Sequence, residues 1–322
     1  MKKFLKRQYL FGLLAGVLYG LLVRIVAEIK PLSDIFEIIS FSFLIFTPFA
    51  VGAISVYIAS KNEELTIKEH TAISSTAMLV FLFTMFIFFL EGLICIVLIL
   101  PVFMVASIIG GIIMGYIYNK TKYSRGTINS LVLLPLLLSP IEMMLPQVES
   151  SSRVTTKIII TASAKEVFSN LASVKNITKK ELGFSFMHLI GMPRPLEASM
   201  SGQGVGSIRT SRWEKGVSFQ EKITVWNAPA QLYYEFIIPK GSIPREALDR
   251  HVELGGDYFT VVNGGYDVKA LSPTESELSL TTTYKNNSRL QLYGNIWAKY
   301  VLNDFHYSLL KLMKIRSENN KS

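Results

Sequence analysis

The sequence predicts an all-α bundle of about five transmembrane helices followed by an α+β domain, in which an antiparallel sheet is covered by a long C-terminal helix. Three observations predict this division. Half of the 322 residues are hydrophobic and the mean hydropathy is +0.36, which is apolar for a soluble chain, and the excess is concentrated before residue 149. Within that stretch apolar runs of about 20 residues recur, the length that a hydrocarbon core of about 30 Å requires of a helix. Beyond it the pattern changes to period-two alternation and closes on an amphipathic segment.

The apolar runs are roughly 9–27, 38–59, 71–90, 93–118 and 127–146, so residues 1–148 read as the membrane bundle. The third and fourth runs are nearly continuous, but together they are too long for one span, and Glu91-Gly92 supplies a polar, flexible break, which predicts a tight hairpin. Lys2, Lys3, Lys6 and Arg7 precede the first run as in a signal peptide, yet no small-residue cleavage site follows and further spans do, so the run reads as an uncleaved first helix. In the fifth run Pro135, Pro140, Glu142 and Pro146 interrupt the apolar pattern and leave a re-entrant or interfacial segment as the alternative.

Lys and Arg near the span ends number nine on the N-terminal side and four on the other, which places the N-terminus in the cytoplasm of a plasma (inner) membrane protein. Five spans then put the C-terminal domain outside the cytoplasm; four would return it. Gly12, Gly16 and Gly20 recur on one face of the first helix, and Gly111 and Gly115 repeat the spacing in the fourth. Small residues so spaced allow close backbone approach, either within the bundle or as a homo-oligomer face. Arg24 and Glu28 are placed to snorkel from a helix end, and Glu91 and Glu142 sit at or near boundaries. With no polar array evident within a span, a channel or pump is disfavoured.

Charge is uneven. Residues 1–149 hold 11 Lys/Arg against 9 Asp/Glu, whereas residues 150–322 hold 22 against 15. A basic domain tethered to a bilayer meets anionic headgroups first, so the lipid bilayer, and not nucleic acid, is the expected partner of that charge. Cys95 is the only cysteine, which excludes an intramolecular disulfide.

Residues 149–153 form a polar linker, and Val154 to Thr161 reads as a β-branched strand. Ser163 and Glu166 have capping-box spacing before the short amphipathic helix of Val167, Phe168 and Leu171. From Ser207 to Leu280 period-two runs such as Phe219, Glu221, Ile223 and Val225, or Leu232, Tyr234, Phe236 and Ile238, predict a meander of about six strands. The expected turns include Gly202 to Gly206, Ala228-Pro229, Pro239 to Pro244, Asn263-Gly264-Gly265 and Ser272-Pro273. A helix over about 289–316, opened by a Ser288 cap, buries Ala298, Val301, Leu302, Phe305, Leu309 and Leu312.

This order of elements over about residues 154–318 resembles the helix-grip fold of the START/Bet v 1-like (SRPBCC) superfamily, in its polyketide cyclase/dehydrase and lipid-transport branch. The stretch Ile158-Ile-Ile-Thr-Ala-Ser-Ala-Lys-Glu-Val-Phe168 looks like the opening strand and first helix, and Trp297 to Arg316 like the closing helix. Where an aromatic often follows the first helix, Ile177 and Thr178 stand instead. The resemblance implies a curved sheet gripping the last helix around an apolar cavity that holds lipids, sterols, polyketides or quinones in relatives. It carries no catalytic residue over, and residues 1–148 resemble no family.

Among groups able to carry chemistry, Glu221 shares a strand face with Phe219 and Ile223. A carboxylate on such an apolar wall would have a raised pKa suited to a general acid or a ligand contact, and an ion pair with Arg209 or Arg212 is equally compatible. Asp249, His251 and Glu253 alternate as metal ligands can, but Arg245 and Arg250 beside them favour a charged surface loop. His306 beside Asp304 fits a satisfied helix position or a proton-transfer group. Gly202, Gly204 and Gly206 lack the spacing and following helix of a phosphate loop, and no metal or cofactor motif occurs. Trp213, Trp226, Tyr233, Tyr234, Tyr258, Tyr266 and Trp297 are core by base rate, and of these Trp226, Tyr234, Tyr258, Tyr266 and Trp297, with Phe219 and Glu221, are the candidate ligand contacts. The functional expectation is a membrane-anchored module that binds or transfers a lipid, isoprenoid or polyketide-like molecule. The alternatives are a cyclase or dehydratase using Glu221, His251 or His306 in the same cavity, and a non-catalytic membrane sensor or scaffold.

Overall fold

The computed structural model describes residues 7–29, 40–61, 63–121, 133, 135, 137–142, 144–146, 149–239, 242–244, 247–248, 253–256 and 258–319. The chain divides into two compact units, Met1–Gln147 and Val148–Ser322.

In the first unit α1 (Arg7–Val26) is followed by a π-helical turn (Ser42–Phe46) that leads into α2 (Thr47–Ala59), then α3 (Ile67–Ile87) and α4 (Leu93–Thr121). Counting Ser42–Ala59 as one, four helices among the described residues are long and apolar enough to cross a membrane, by length and composition. They correspond to the first four expected spans, and the chain breaks between α3 and α4 around Glu91-Gly92. Of the fifth expected span, 127–146, residues 127–132, 134, 136 and 143 lie outside the described residues, and 133, 135 and 137–142 are helical.

Glycine lets these helices meet backbone to backbone. A Cβ on Gly12 would lie 2.4 Å from the Ser55 carbonyl oxygen, and one on Gly16 2.1 Å from Ser55 Oγ, both on α2. One on Gly20 would strike the Phe81 ring of α3 at 2.8 Å. The glycine face therefore packs against α2 and α3 within the bundle, the first of the two readings of that spacing. In α4, Gly111 makes room for Ser74, and Gly115 for the His70 ring.

Arg24 departs from expectation. It does not snorkel: it is 1% exposed, and its Nε donates to Glu91 Oε1 at 2.9 Å. Nη2 donates to Glu28 Oε1 at 3.1 Å and to the Leu90 carbonyl oxygen at 2.8 Å. A charge in an apolar bundle is tolerated when it is paired, and this pair ties α1 to the α3–α4 turn, with Nη1 left buried without a hydrogen bond.

Glu142 makes a second long-range link. Its carboxylate accepts from the Phe41 N–H at 2.6 Å, the Ser42 N–H at 2.8 Å and Ser42 Oγ at 2.7 Å, capping the π-helical turn that begins the second span. A carboxylate suits that place because the first N–H groups of a helix have no partner in the helix itself. At the opposite end, the Tyr118 hydroxyl donates to the Lys61 carbonyl oxygen at 3.2 Å and Asn119 Nδ2 to that of Leu65 at 3.1 Å. The ring pairs Phe43–Phe103 and Tyr57–Tyr118 show that α2 and α4 run parallel. Thr121 thus stands at the end where α2 finishes, and Glu142 at the end where α2 begins.

The second unit opens with β1 (Ser150–Ile160) and three short helices, α5 (Ala164–Ala172), α6 (Lys179–Leu182) and α7 (Phe186–Leu189). The meander follows: β2 (Pro195–Met200), β3 (Ile208–Trp213), β4 (Ser218–Asn227), β5 (Gln231–Ile237), β6 (Phe259–Ser272) and β7 (Glu275–Asn286). The closing helix is α8 (Gln291–Asn319). All seven strands form one antiparallel sheet in the order β1-β7-β6-β5-β4-β3-β2. The Ser163–Glu166 capping box starts α5 as expected, and Thr178 with Glu181 repeats it at α6. Arg316 Nε then donates to Glu181 Oε1 at 2.8 Å, fastening α6 to α8 and holding the Glu181 carboxyl down at about 2.

Two local expectations fail. Asn263-Gly264-Gly265 is not a turn but the middle of β6, where Gly264 and Gly265 stand opposite Tyr234 and Tyr233 on β5. A Cβ on Gly265 would lie 2.3 Å from the Tyr233 ring, so glycine here lets cross-strand aromatic rings lie over the backbone. Ser288 does not cap α8, because its Oγ takes no hydrogen bond. Under the sheet, α8 buries Ala298, Leu302, Leu310, Leu312 and Met313 in the core.

Replacing Arg24 by Met should take the buried Glu91 carboxylate's cationic partner away and lower stability by ~3–5 kcal/mol. Unfolding in detergent, followed by circular dichroism, checks this, and the double variant Arg24→Met/Glu91→Gln should recover most of the loss.

Candidate functional site

The inner face of the sheet and α8 enclose a cavity of about 60 Å³. Its geometry begins with β4, where Phe219, Glu221 and Ile223 point inward as the alternation requires. A bulge between Ile223 and Val225 then shifts the register, and Val225 is turned outward against expectation. On β3 the inward residues are Arg209, Ser211 and Trp213, and the β3–β4 pairing sets Arg209 directly opposite Glu221. Tyr234 and Phe236 come from β5, Tyr266 from β6, and Leu280 and Thr282 from β7. Phe305, Leu309, Leu312 and Met313 of α8 close the lower side, and Ile177, Pro195 and Ala198 stand at the edge nearest β2.

Arg209 and Glu221 are the charged floor of this mostly apolar space, in which Ser211, Thr282 and Glu197 are further polar lining residues. Both are buried, Arg209 Nε donates to Glu221 Oε2, and Nη1 donates to the Leu171 carbonyl oxygen at 2.8 Å. The guanidinium carbon lies 4.6 Å from the centroid of the Tyr234 ring and 5.8 Å from that of Tyr266, so the cation is held against two aromatic faces. Burial opposes its charge, but Glu221 and the two tyrosines raise its pKa above the ordinary value, and Arg209 stays cationic. Burial pushes the Glu221 carboxyl up while Arg209 pulls it back, with a net upward shift. Burial also raises the phenols of Tyr234 and Tyr266, which keep their protons at neutral pH and can donate. The arrangement presents two hydroxyls and a charge pair that cancels itself within an apolar enclosure. Arg212, the other basic candidate for Glu221, faces outward and pairs with Glu197 at 2.8 Å.

The remaining candidates fall elsewhere. His306 is fully buried, with Thr282 Oγ1 at 2.8 Å from Nε2 and Thr156 Oγ1 at 3.1 Å from Nδ1, so it bridges α8 to β7 and β1. Burial pushes its pKa down to about 4, and the ring is neutral at physiological pH. Asp304 accepts from Ser185 Oγ at 2.5 Å and the Met187 N–H at 3.1 Å, at the start of α7. Trp226 packs edge-on against Phe168 outside the cavity lining. Trp297 lies between Tyr293 and Tyr300 along α8, and Tyr258 is half-buried before β6; neither lines the cavity. His251 and Asp249 lie outside the described residues, and among those described no cluster of metal-ligating side chains occurs. Sequence reasoning missed Phe305, Thr282 and Ser211 as lining residues. The period-two signal of Arg209, Ser211 and Trp213 was available, but only the pairing of β3 with β4 brings it to Glu221.

No family model matches the chain, and no curated protein matches it. Solved structures do. A norcoclaurine synthase from Thalictrum flavum is 12% identical with a TM-score of 0.36, covering 55% of this chain and 100% of its own. A START superfamily protein from Mycobacterium smegmatis is 15% identical with a TM-score of 0.34, covering 52% and 99%. The Zhui aromatase/cyclase from Streptomyces sp. R1128 is 11% identical with a TM-score of 0.33, covering 54% and 98%.

Replacing Arg209 by Met should remove the downward pull on Glu221 and raise its folded pKa further. The folded state then holds a proton that the unfolded chain releases above the usual carboxylate range, so stability falls as pH rises through that window. The thermal midpoint of the variant should therefore lie nearer wild type at pH 5 than at pH 8, and Arg209→Met/Glu221→Gln should lose most of that pH dependence.

By strand order and closing helix, which stand independently of these likenesses, the C-terminal unit has a helix-grip fold, one antiparallel sheet around one long helix.

Proposed function

We propose that this chain is a membrane-anchored binding module that takes a hydrophobic small molecule with a neutral polar head, such as a hydroxyl or carbonyl, into the cavity of its C-terminal unit. The observation that carries this reading is the buried Arg209–Glu221 pair with Tyr234 and Tyr266 in an enclosure whose other walls are mostly apolar, with Ser211, Thr282 and Glu197 the further polar lining residues. A self-neutralising pair gives little net attraction to a ligand carboxylate, and phenols that keep their protons can donate to a hydroxyl or carbonyl oxygen. The described cavity, about 60 Å³, has room for a few water molecules, against the ~300–1,000 Å³ of pockets for drug-sized ligands. Entry therefore requires the wall formed by Phe305, Leu309 and Met313 to part from the sheet, a change that a ligand stabilises only through contacts made in the open state. Anchoring favours this reading, since a molecule dissolved in the bilayer is concentrated beside the module.

Native mass spectrometry of the full chain, released from detergent, tests it. One apolar molecule should be bound at stoichiometry and be lost on solvent extraction, and Ala198→Leu, which fills the cavity edge, should reduce its occupancy. A chain that is empty as purified, and stays empty after exposure to membrane extract, would overturn the reading.

We also propose five crossings, with the N-terminus cytoplasmic and residues 149–322 outside the cytoplasm. Supporting this, Thr121 and Glu142 stand at opposite ends of the bundle, and the 20 residues between them are enough to span about 30 Å at about 1.5 Å per residue. A C-terminal alkaline phosphatase fusion should be active and a green fluorescent protein fusion dark; the reverse pattern would reduce the crossings to four.

A further inference from the structure

The core does not account for the outer face of α8. Leu292, Ile296, Tyr300 and Tyr307 recur along one side of the helix at near-helical spacing, and all are exposed, Leu292 at 85%. The segment before and through α7 extends the patch: Phe184 is 81% exposed and Leu189 66%. The two elements are held side by side. The ring of Phe186 lies 5.9 Å from that of Tyr300, and Asp304 of α8 accepts from Ser185 Oγ and the N–H groups of Phe186 and Met187. A Cβ on Gly183 would lie 2.7 Å from Lys311 Nζ, which sets that ammonium beside Phe184.

The charge on this surface has one sign. Lys299 and Lys311 are exposed on the same helix face, whereas the nearby carboxylate of Asp304 is already engaged by the three α7 donors. Exposed aliphatic and tyrosine side chains interspersed with lysine are the composition of a surface that lies in a bilayer interface. There the apolar parts enter the headgroup boundary, tyrosine hydroxyls remain hydrated, and ammonium groups meet lipid phosphates. Apolar side chains exposed in such a group on a soluble surface would otherwise favour aggregation.

We propose that the outer face of α8, with Phe184 and Leu189 beside it, docks the C-terminal unit onto an anionic lipid surface. The inference rests on the membrane reading of the N-terminal helices, because the same chain then keeps a bilayer permanently within reach of this patch. Two points commit the occupant to lipid. The patch carries lysines and no unengaged acid among the residues named, which complements anionic headgroups. The unit as a whole is also basic, with 22 Lys/Arg against 15 Asp/Glu in residues 150–322. Tethering makes a weak contact sufficient, since the encounter is intramolecular in effect.

The test uses the full chain, with Cys95→Ser, in vesicles that contain a lipid nitroxide-labelled at the headgroup. Single cysteines at 292 and 296 carry a fluorophore. A cysteine replacing Ile109, an exposed position near the middle of α4, reports insertion of the bundle in parallel vesicles whose nitroxide is placed deep on the acyl chain, and one replacing Lys269, exposed on β6, reports background. In vesicles of phosphatidylglycerol and phosphatidylcholine the labels at 292 and 296 should be quenched well beyond that at 269, and the excess should shrink in phosphatidylcholine alone. Quenching at 292 and 296 no greater than at 269 would overturn docking, as would energy transfer between labelled chains that rises with protein density, which would assign the face to a second copy. An unquenched label at 109 would remove the membrane reading itself and the proposal with it.

Discussion

A seven-stranded antiparallel sheet has one inner face, and in the C-terminal unit the long helix α8, with the short α5 beside it, covers it. Much of the unit follows from that constraint. At about 1.5 Å per residue the 29 residues of α8 reach about 43 Å, long enough to cross the concave side while the sheet curls around it. The contact is not uniformly apolar. His306 bonds Thr156 of β1 and Thr282 of β7, so its polar ring pins the helix to the first and last strands, which are neighbours in the sheet. Arg316 reaches Glu181 and fastens the far end of α8 to α6. Where helix and sheet diverge between these anchors, the cavity remains.

Both units place an arginine in an apolar interior and pair it the same way. Arg24 meets Glu91, Glu28 and the Leu90 carbonyl oxygen. Arg209 meets Glu221, the Leu171 carbonyl oxygen and two tyrosine faces. In each case a carboxylate supplies the opposite charge and a backbone oxygen takes a remaining donor, which is the condition under which a buried ion pair is tolerated. Such pairs add less to stability than to uniqueness of arrangement, because a slipped strand or rotated helix would leave one partner buried alone. For the cavity this makes the polar floor a fixed feature, while the unbranched or rotatable side chains of α8, Met313 above all, are the ones able to yield.

Some of this was legible from residues alone. The Ser163–Glu166 box announced α5, and the inward alternation of Phe219, Glu221 and Ile223 could be counted directly until the bulge displaced Val225. Glu221 stood out as an acid on an apolar face. Its two possible partners did not separate, because Arg209 and Arg212 are three residues apart and only the strand register decides which one faces inward. Asn263-Gly264-Gly265 has the composition of a turn, and nothing nearby in sequence says that the rings of Tyr233 and Tyr234, some thirty residues earlier, need that bare backbone. The aromatic set was likewise recognisable as a set, but Trp226 and Trp297 were indistinguishable from Tyr234 and Tyr266 until the sheet was closed.

By itself, then, the sequence determined the apolar helical character of the first half, the meander and its closing helix, and the place of Glu221 among inward-facing apolar residues. Hydrophobic period and turn chemistry are properties of neighbouring residues, so a local reading suffices for them. Only the tertiary structure decided that Arg209 and not Arg212 meets Glu221, that the Gly12 to Gly20 face is filled by α2 and α3, that Arg24 is buried against Glu91, and which aromatics line the cavity. Each of these depends on the register or packing of segments distant in sequence, which follows from burying every charge and apolar face at once rather than from any residue's own preference.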